Sequence, residues 1–396
     1  MTRPFEGIRV IDATHVLAGP FAAYQLAVMG ADVIKVENPN VIDQVREQGP
    51  DEALNSEGMG TYYLTQGANK RAITLNLAHV EGREIFKELV AGADILIENY
   101  RAGALELLGL GYDELSKINE TLIYCSMTAF GQHGPRSEQT AYDMQIQATS
   151  GIMASTGTPE VNPLKVGPPV VDYATGTTGA LAISSALFQR ERTGRGQHID
   201  LAMLDVALVM MSADMTNTKW SGQTPIPSGN DMKLAGARCY QTADGLLMVG
   251  AMNRQQHRRL FNYFGQPDIA NITDYPPRFE QGDKHAEIIQ QRLLEHTAAH
   301  WELDLQSQHI PAMAVRNIAE AMDDEQLSTR KVLHEFDNFR GTGQTLSVPV
   351  AAFKFQHGGP QIDSPPPMVG EDTDAVLTEL GKNEEEIAAL RANGTI

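Results

Sequence analysis

Short apolar runs recur through the first half of the chain, each separated from the next by a stretch with helical spacing. Ile8-Arg9-Val10-Ile11-Asp12 reads as a strand, followed by Ala18-Gly19-Pro20-Phe21 and a helix to about Met29. Asp32-Val33-Ile34-Lys35-Val36-Glu37 is the next strand, and Ala72-Ile73-Thr74-Leu75 the one after. A helix is predicted across Glu81 to Ala91, with Ile85, Phe86, Leu89 and Val90 on one face. Asp94-Ile95-Leu96-Ile97-Glu98 and Leu122-Ile123-Tyr124-Cys125-Ser126 complete the set. Strands alternating with helices imply right-handed βαβ units and an open parallel sheet. Ligands of such sheets sit beyond the carboxyl ends of the strands. Chemistry is therefore expected at His15 to Pro20, Asn38, Asn99 to Arg101 and Thr128 to Pro135.

Beyond these strands the texture changes. Val170-Val171 is a short strand-like run, Asp172 follows it, and a long helical pattern ends near Arg190. Arg192 to Gln197 reads as a turn, leading into a Met- and Ala-rich helix from about Asp200 to Asn217. After a Pro-rich loop, a hairpin through Cys239 to Thr242 and Leu246 to Val249 turns at Asp244-Gly245. Helices follow around Gln255 to Phe264 and His285 to His300, and a last one starts at Glu384. A chain of 396 residues is too long for one compact core. The predicted class is α/β. Residues 1–200 and 345–396 form a large doubly wound, Rossmann-like domain; residues 225–330 form a smaller α/β domain. Residues 201–224 and 331–344 are linkers.

Charge narrows the partners. A formal net charge of −19 argues against nucleic acid, whose phosphates recruit basic surfaces. An anionic ligand must then meet a local group of cations or helix N-termini. Cys125 and Cys239 stand far apart in no metal-ligand pattern, as in a reduced, cytoplasmic protein. Val16 to Met29 is broken by Gly19, Pro20 and Gln25, so neither a signal peptide nor a membrane span is expected. His296 and His300 lack the HExxH order, and no metal is expected. No GxGxxG, Walker loop or GxSxG elbow occurs.

The candidate chemistry centres on Asp172. At a helix start the dipole favours an ionised carboxylate, which suits a nucleophile toward an activated acyl group. The alternative is a plain helix cap. Gly19-Pro20 opens a helix whose free N–H groups could face an anion or an oxyanion. Asn69-Lys70-Arg71 supplies two cations or a solvated turn, His15 lies in a loop, and Tyr142 is either core or a hydrogen-bond donor.

The order of these signals is more specific than any one of them. Gly7 to Asp12, His15 to Pro20, Gly30 to Glu37, Asn69 to Arg71, Glu98 to Tyr100 and Gly103 to Leu105 form a succession. Gly131 to Pro135, Tyr142-Asp143, Asp172 with Thr175-Gly176, Arg192 to Gln197 and Gly370 to Thr373 continue it. The succession resembles the class III CoA-transferases, the CaiB/BaiF group that includes formyl-CoA transferase and carnitine CoA-transferase. The resemblance implies that Asp172 attacks an acyl-CoA thioester and carries CoA as an aspartyl thioester, flanked by mixed anhydrides. It implies CoA contacts at Leu17, Ala18, Asn38, Leu75, Leu77, Asn99, Tyr100 and Arg101, and places His15, Lys70, Arg71 and Tyr142 with them. Coenzyme A enters as the acyl-CoA substrate, with no permanently bound cofactor, and the family's assembly is an interlocked homodimer. Some oxalate-linked members have Gln at the position of Leu17, Arg at Asn38 and a glycine run at Met232 to Ala237. Those departures favour a larger acid or a dicarboxylate, with Arg46, Arg101 and Arg136 as candidate cations for a second carboxylate. The alternatives are an α-methylacyl-CoA racemase, which carries His-Asp where this chain has Tyr142-Asp143, and a CoA-binding protein without catalysis.

Overall fold

The computed structural model describes residues 2–272 and 274–396. The chain packs as two units, one of Met1–Met153, Lys165–Thr224 and Arg330–Ile396, the other of Ala154–Leu164 and Pro225–Thr329. The stretches expected as linkers, 201–224 and 331–344, lie within the larger unit, and 154–164 goes with the smaller one.

The larger unit is built on six parallel strands, β1 Arg9–Ala13, β2 Asp32–Glu37, β3 Lys70–Thr74, β4 Ile95–Glu98, β5 Ile123–Thr128 and β6 Gln197–Ala202. Their order is β3-β2-β1-β4-β5-β6, the doubly wound arrangement. The register sets Val10 beside Val33 and Ile95, and Ile123 beside Ile95. Strands covered on both faces read as near-continuous apolar runs, which is why five of them are legible in the sequence. The sixth reads as a turn and the start of a helix. It is an edge strand paired only with β5, and its Gln197, His198 and Asp200 interrupt the apolar signal.

Helices cover both faces. α1 (Ala18–Val28), α2 (Val80–Ala91), α3 (Asp143–Ser150) and α4 (Val170–Thr193) precede α5 (Met203–Met210) and α6 (Ser212–Ser221). The single helix expected from Asp200 therefore starts only at Met203 and breaks at Met211. Val10, Val33, Ile95 and Ile123 pack on Ala22, Leu26, Ile183 and Leu187 of α1 and α4. Residues of alternate parity, Ile11, Ile34 and Leu96, face Ile85, Phe86 and Leu89 of α2. Val170 and Val171, read as strand-like, form the first turn of α4 after Pro169.

The smaller unit has three antiparallel strands in the order β7 (Ala237–Gln241), β8 (Leu246–Gly250), β9 (Ala312–Ala314). They pack on α7 (Arg254–Tyr263), α8 (Gly282–Leu293) and α9 (Ala298–Ser307) around Leu247, Val249, Leu260, Phe261 and Ile289. The helix read over His285 to His300 is thus two. The chain then returns to the larger unit, where α10 (Thr373–Glu379) and α11 (Glu384–Ala392) place Val376, Leu377, Ile387 and Leu390 in the α2-side core. Among the described residues no helix is long and apolar enough to cross a membrane.

Candidate active site

Strand order reverses between β1 and β4, so their carboxyl ends open a crevice. The loops leaving those strands are tied together there. The His15 N–H donates to Oδ1 of Asn99 at 2.9 Å, and Nδ2 of Asn99 donates to the His15 carbonyl at 2.8 Å. A cavity of about 470 Å³ lies over the crevice, lined by His15, Val16, Leu17, Ala18, Asn99, Arg101, Thr128, Tyr142, Gln145, Met203 and Asp172. A second cavity of about 330 Å³ is lined by His15, Val16 and Tyr142 as well, together with Asn38, Asp43 and Tyr100. Nine expected positions are gathered in this way: His15, Leu17, Ala18, Asn38, Asn99, Tyr100, Arg101, Tyr142 and Asp172.

Asp172 is 9% exposed and is the third residue of α4. It does not cap its own helix. Asp143 of α3 does so, accepting the N–H groups of Val171 at 2.7 Å and Asp172 at 3.1 Å, while Nε2 of Gln147 donates to its other oxygen. Among the described residues the Asp172 carboxylate accepts no hydrogen bond. Burial, and then the negative charge of Asp143, push it up to about 7. The expectation that the helix start keeps Asp172 ionised is thereby corrected: Asp143 has taken the N–H groups that were to do so. A desolvated carboxylate without partners is a better nucleophile than a hydrated one, at the cost of being partly protonated near neutrality.

Close packing puts a second helix start beside it. Gly176, one turn after Asp172, lets α4 lie against α1; a Cβ there would sit 2.7 Å from the Ala18 carbonyl oxygen and 2.9 Å from the Phe21 ring. Among the described residues the N–H groups of Leu17 and Ala18, at the start of α1, have no hydrogen-bond partner. Leu17 and Ala18 line the larger cavity together with Asp172. Beneath the crevice, burial pushes Glu98 up to about 7 even though the Tyr100 N–H donates to it at 2.8 Å. Burial likewise lowers His15, which favours the neutral imidazole.

Four of the expected CoA-contact residues are not gathered. Lys70 is buried, its Nζ donating to Asp12 at 2.8 Å and to the Pro20 carbonyl at 2.9 Å, which leaves no free charge for a phosphate. Arg71 lies near the amino end of β3, away from the crevice, bound to Asp32 and Glu379. The side chains of Leu75 and Leu77 belong to the α2-side core. Of the three candidate cations for a second carboxylate, Arg46 is fully buried in a two-pronged pair with Glu37, at 2.7 and 2.6 Å. Arg136 lies over the Phe130 ring and donates to Gln139 and Thr149. Arg101 lines the larger cavity and, among the described residues, its guanidinium donates to no partner. Sequence reasoning missed Asp43 and the capping role of Asp143, because each acts on backbone N–H groups more than 25 positions away.

Comparison with known proteins converges on one family. A family model described as CoA-transferase family III matches residues 5–373. The succinate–glutarate CoA-transferase of Agrobacterium fabrum is 36% identical over 389 residues, 95% of this chain and 96% of that protein. The succinyl-CoA:glutarate CoA-transferase of Mus musculus is 32% identical over 402 residues, 100% of this chain and 90% of that one. The crystal structure of a CaiB/BaiF family protein from Brucella suis superimposes with a TM-score of 0.83 at 32% identity, covering 96% of this chain and all of that one. A doubly wound sheet, a buried acid over its switch point and full-length relatives of one activity agree: the chain belongs to CoA-transferase family III and is a CoA-transferase.

Proposed function

We propose that the chain moves CoA from a dicarboxylic acyl-CoA to a free dicarboxylic acid through a covalent aspartyl-CoA thioester on Asp172. The observation that carries this reading is the buried Asp172 carboxylate, free of hydrogen bonds, in the wall of a cavity at the strand-order switch. The carboxylate adds to the donor thioester carbonyl and the C–S bond breaks, giving a mixed anhydride and CoA thiolate. The thiolate attacks the aspartyl carbonyl, releasing the donor acid and leaving CoA on Asp172. The acceptor carboxylate then attacks that thioester, forming a second anhydride, and the expelled thiolate takes the acceptor acyl group. Asp172 is regenerated with no net proton change. Each addition places negative charge on a carbonyl oxygen, and the free N–H groups of Leu17 and Ala18 are the donors on the same wall for it. The smaller cavity, with Asn38 and Tyr100, offers room for the nucleotide end of CoA, and His15 and Tyr142 line both cavities.

Arg101 supports a dicarboxylate. Its guanidinium is free on the wall that Asp172 shares, and a carboxylate is the fork-shaped partner that group favours. The relatives named for glutarate fit the same chemistry. The test is a competition in which one acyl-CoA donor meets pooled mono- and dicarboxylic acids, read by mass spectrometry of the CoA products. Dicarboxylyl-CoA products are expected to dominate, and oxalyl- or formyl-CoA as the main product would overturn the preference. Arg101→Gln should raise the KM of the dicarboxylate by roughly tenfold or more, the loss of one charge-assisted pair, and leave that of a monocarboxylate nearly unchanged.

The same reading includes a homodimer. Large apolar side chains stand exposed on α4 to α6: Leu181, Phe188, Val209 (68%) and Trp220 (92%). Exposed apolar side chains on these helices support a covering partner, and a second copy is the partner the family implies.

A further inference from the structure

We propose that Asp43 and Gln66 are positioning residues for CoA transfer, clamping Val16 in a left-handed backbone conformation and so fixing the Leu17 and Ala18 N–H groups in the wall they share with Asp172. The inference rests on the reading of transfer through Asp172. Val16 has φ +68°, in the region that side chains branched at Cβ avoid most strongly. Five other described non-glycine residues have positive φ, namely Asn69, His309, Lys331, Asn338 and Arg340, and none of them is β-branched. Such a conformation is strained and persists only where its surroundings over-determine it.

Both ends of Val16 are held. Its N–H donates to both carboxylate oxygens of Asp43, at 3.0 and 3.1 Å, and its carbonyl accepts Nε2 of Gln66 at 2.7 Å. Both clamping side chains are buried, Asp43 at 6% and Gln66 at 2% exposure. Asp43 is itself anchored by the Val45 N–H at 3.3 Å and by Nζ of Lys35 at 3.5 Å. The same Nζ donates to the Thr14 carbonyl at 2.9 Å, two residues before the strained turn. With Asn99 gripping His15 on the other side, the chain from β1 to α1 has its direction fixed at each peptide. A turn needed only for folding is met without strain by glycine. Here a valine that lines both cavities is forced into the conformation by two buried side chains, so the clamp acts at the reacting centre.

The experiment is a double-mutant cycle on transfer of CoA from succinyl-CoA to glutarate, with Asp43→Asn, Val16→Gly and both together. Asp43→Asn gives one of the two acceptor oxygens to an amide, so the N–H groups of Leu17 and Ala18 drift from their aim. The kcat is expected to fall roughly 10- to 100-fold, the scale for misplacement of about an ångström, while the KM for succinyl-CoA stays within about twofold. In the Val16→Gly background the same substitution should cost less than about threefold, because glycine takes the left-handed turn unaided. An equal kcat penalty in both backgrounds overturns the clamp. Should Asp43→Asn fail to fold, Gln66→Leu, which releases only the Val16 carbonyl, supplies the same comparison with the same criterion. Asp172→Ala separates the two claims. If it transfers CoA as fast as wild type, the aspartyl route fails and the clamp with it; if it is inactive and the penalties are equal, only the clamp fails.

Discussion

The chemistry proposed for Asp172 rests on burial rather than on hydrogen bonds of its own. With its carboxyl raised to about 7, the nucleophilic form is the minor one on the acid side, so kcat/KM should drop by about tenfold per pH unit below about pH 6 and level off above about pH 8. The same shift sets a stability dependence. The folded value lies above the roughly 3.9 of an unfolded Asp, so the stabilisation is complete below about pH 4 and is lost as pH rises through about 7. Asp172→Asn removes the ionisation and should therefore raise thermal stability at about pH 8 by on the order of 2–4 kcal/mol, with the gain vanishing near pH 4. Calorimetry across that range checks it, and a gain that does not change with pH would contradict it. The place of Asp172 at a helix start is legible in the sequence, but its charge state is not, because Asp143 takes the helix N–H groups from 29 positions away. The burial of Lys70, expected as one of two cations beside CoA, is hidden for the same reason: nothing near it in the sequence announces its pairing with Asp12 across the sheet.

At the scale of elements, the site is a junction of helix starts. α4 carries the proposed nucleophile, α1 begins at the free N–H groups, and Gly176 sets how closely the two helices approach. Gly176→Ala would press a methyl group against the Ala18 carbonyl and the Phe21 ring. It should cost about 1–3 kcal/mol in denaturant unfolding through overpacking, and lower kcat more than KM rises. Asp143→Asn keeps an oxygen for the cap but removes the charge that helps hold Asp172 up. The acid limb of its pH–rate profile should move to lower pH, and a limb that stays in place would show that Asp143 does not act on Asp172 electrostatically. The interior strands were legible because burial on both faces leaves little room for polar residues, and β2 begins and ends where its sequence predicts. β6 was not, since an edge strand with exposed Asp200 keeps a polar pattern that a turn shares. The first turn of α4 was misread because Val170-Val171 favours a strand by composition, whereas the preceding Pro169 and the Asp143 cap impose a helix.

For the whole molecule, the doubly wound order and the family follow from a succession of short motifs, each weak alone. The limits of the two units do not, because 154–164 joins the smaller unit from a distant part of the chain. Exposed Leu181, Phe188, Val209 and Trp220 were equally hidden, since apolar residues on helices look the same in a sequence whether a core or a partner covers them. Light scattering should return twice the 43.2 kDa chain mass, and a monomeric mass would contradict the homodimer. The central claim is that CoA is carried covalently on Asp172, and trapping tests it most directly. Wild-type protein incubated with succinyl-CoA alone, then with hydroxylamine, should carry a hydroxamate on the peptide containing Asp172, with none in Asp172→Asn. An enzyme that transfers CoA while Asp172 remains unlabelled, or an Asp172→Asn variant that transfers it at the wild-type rate, would contradict the account.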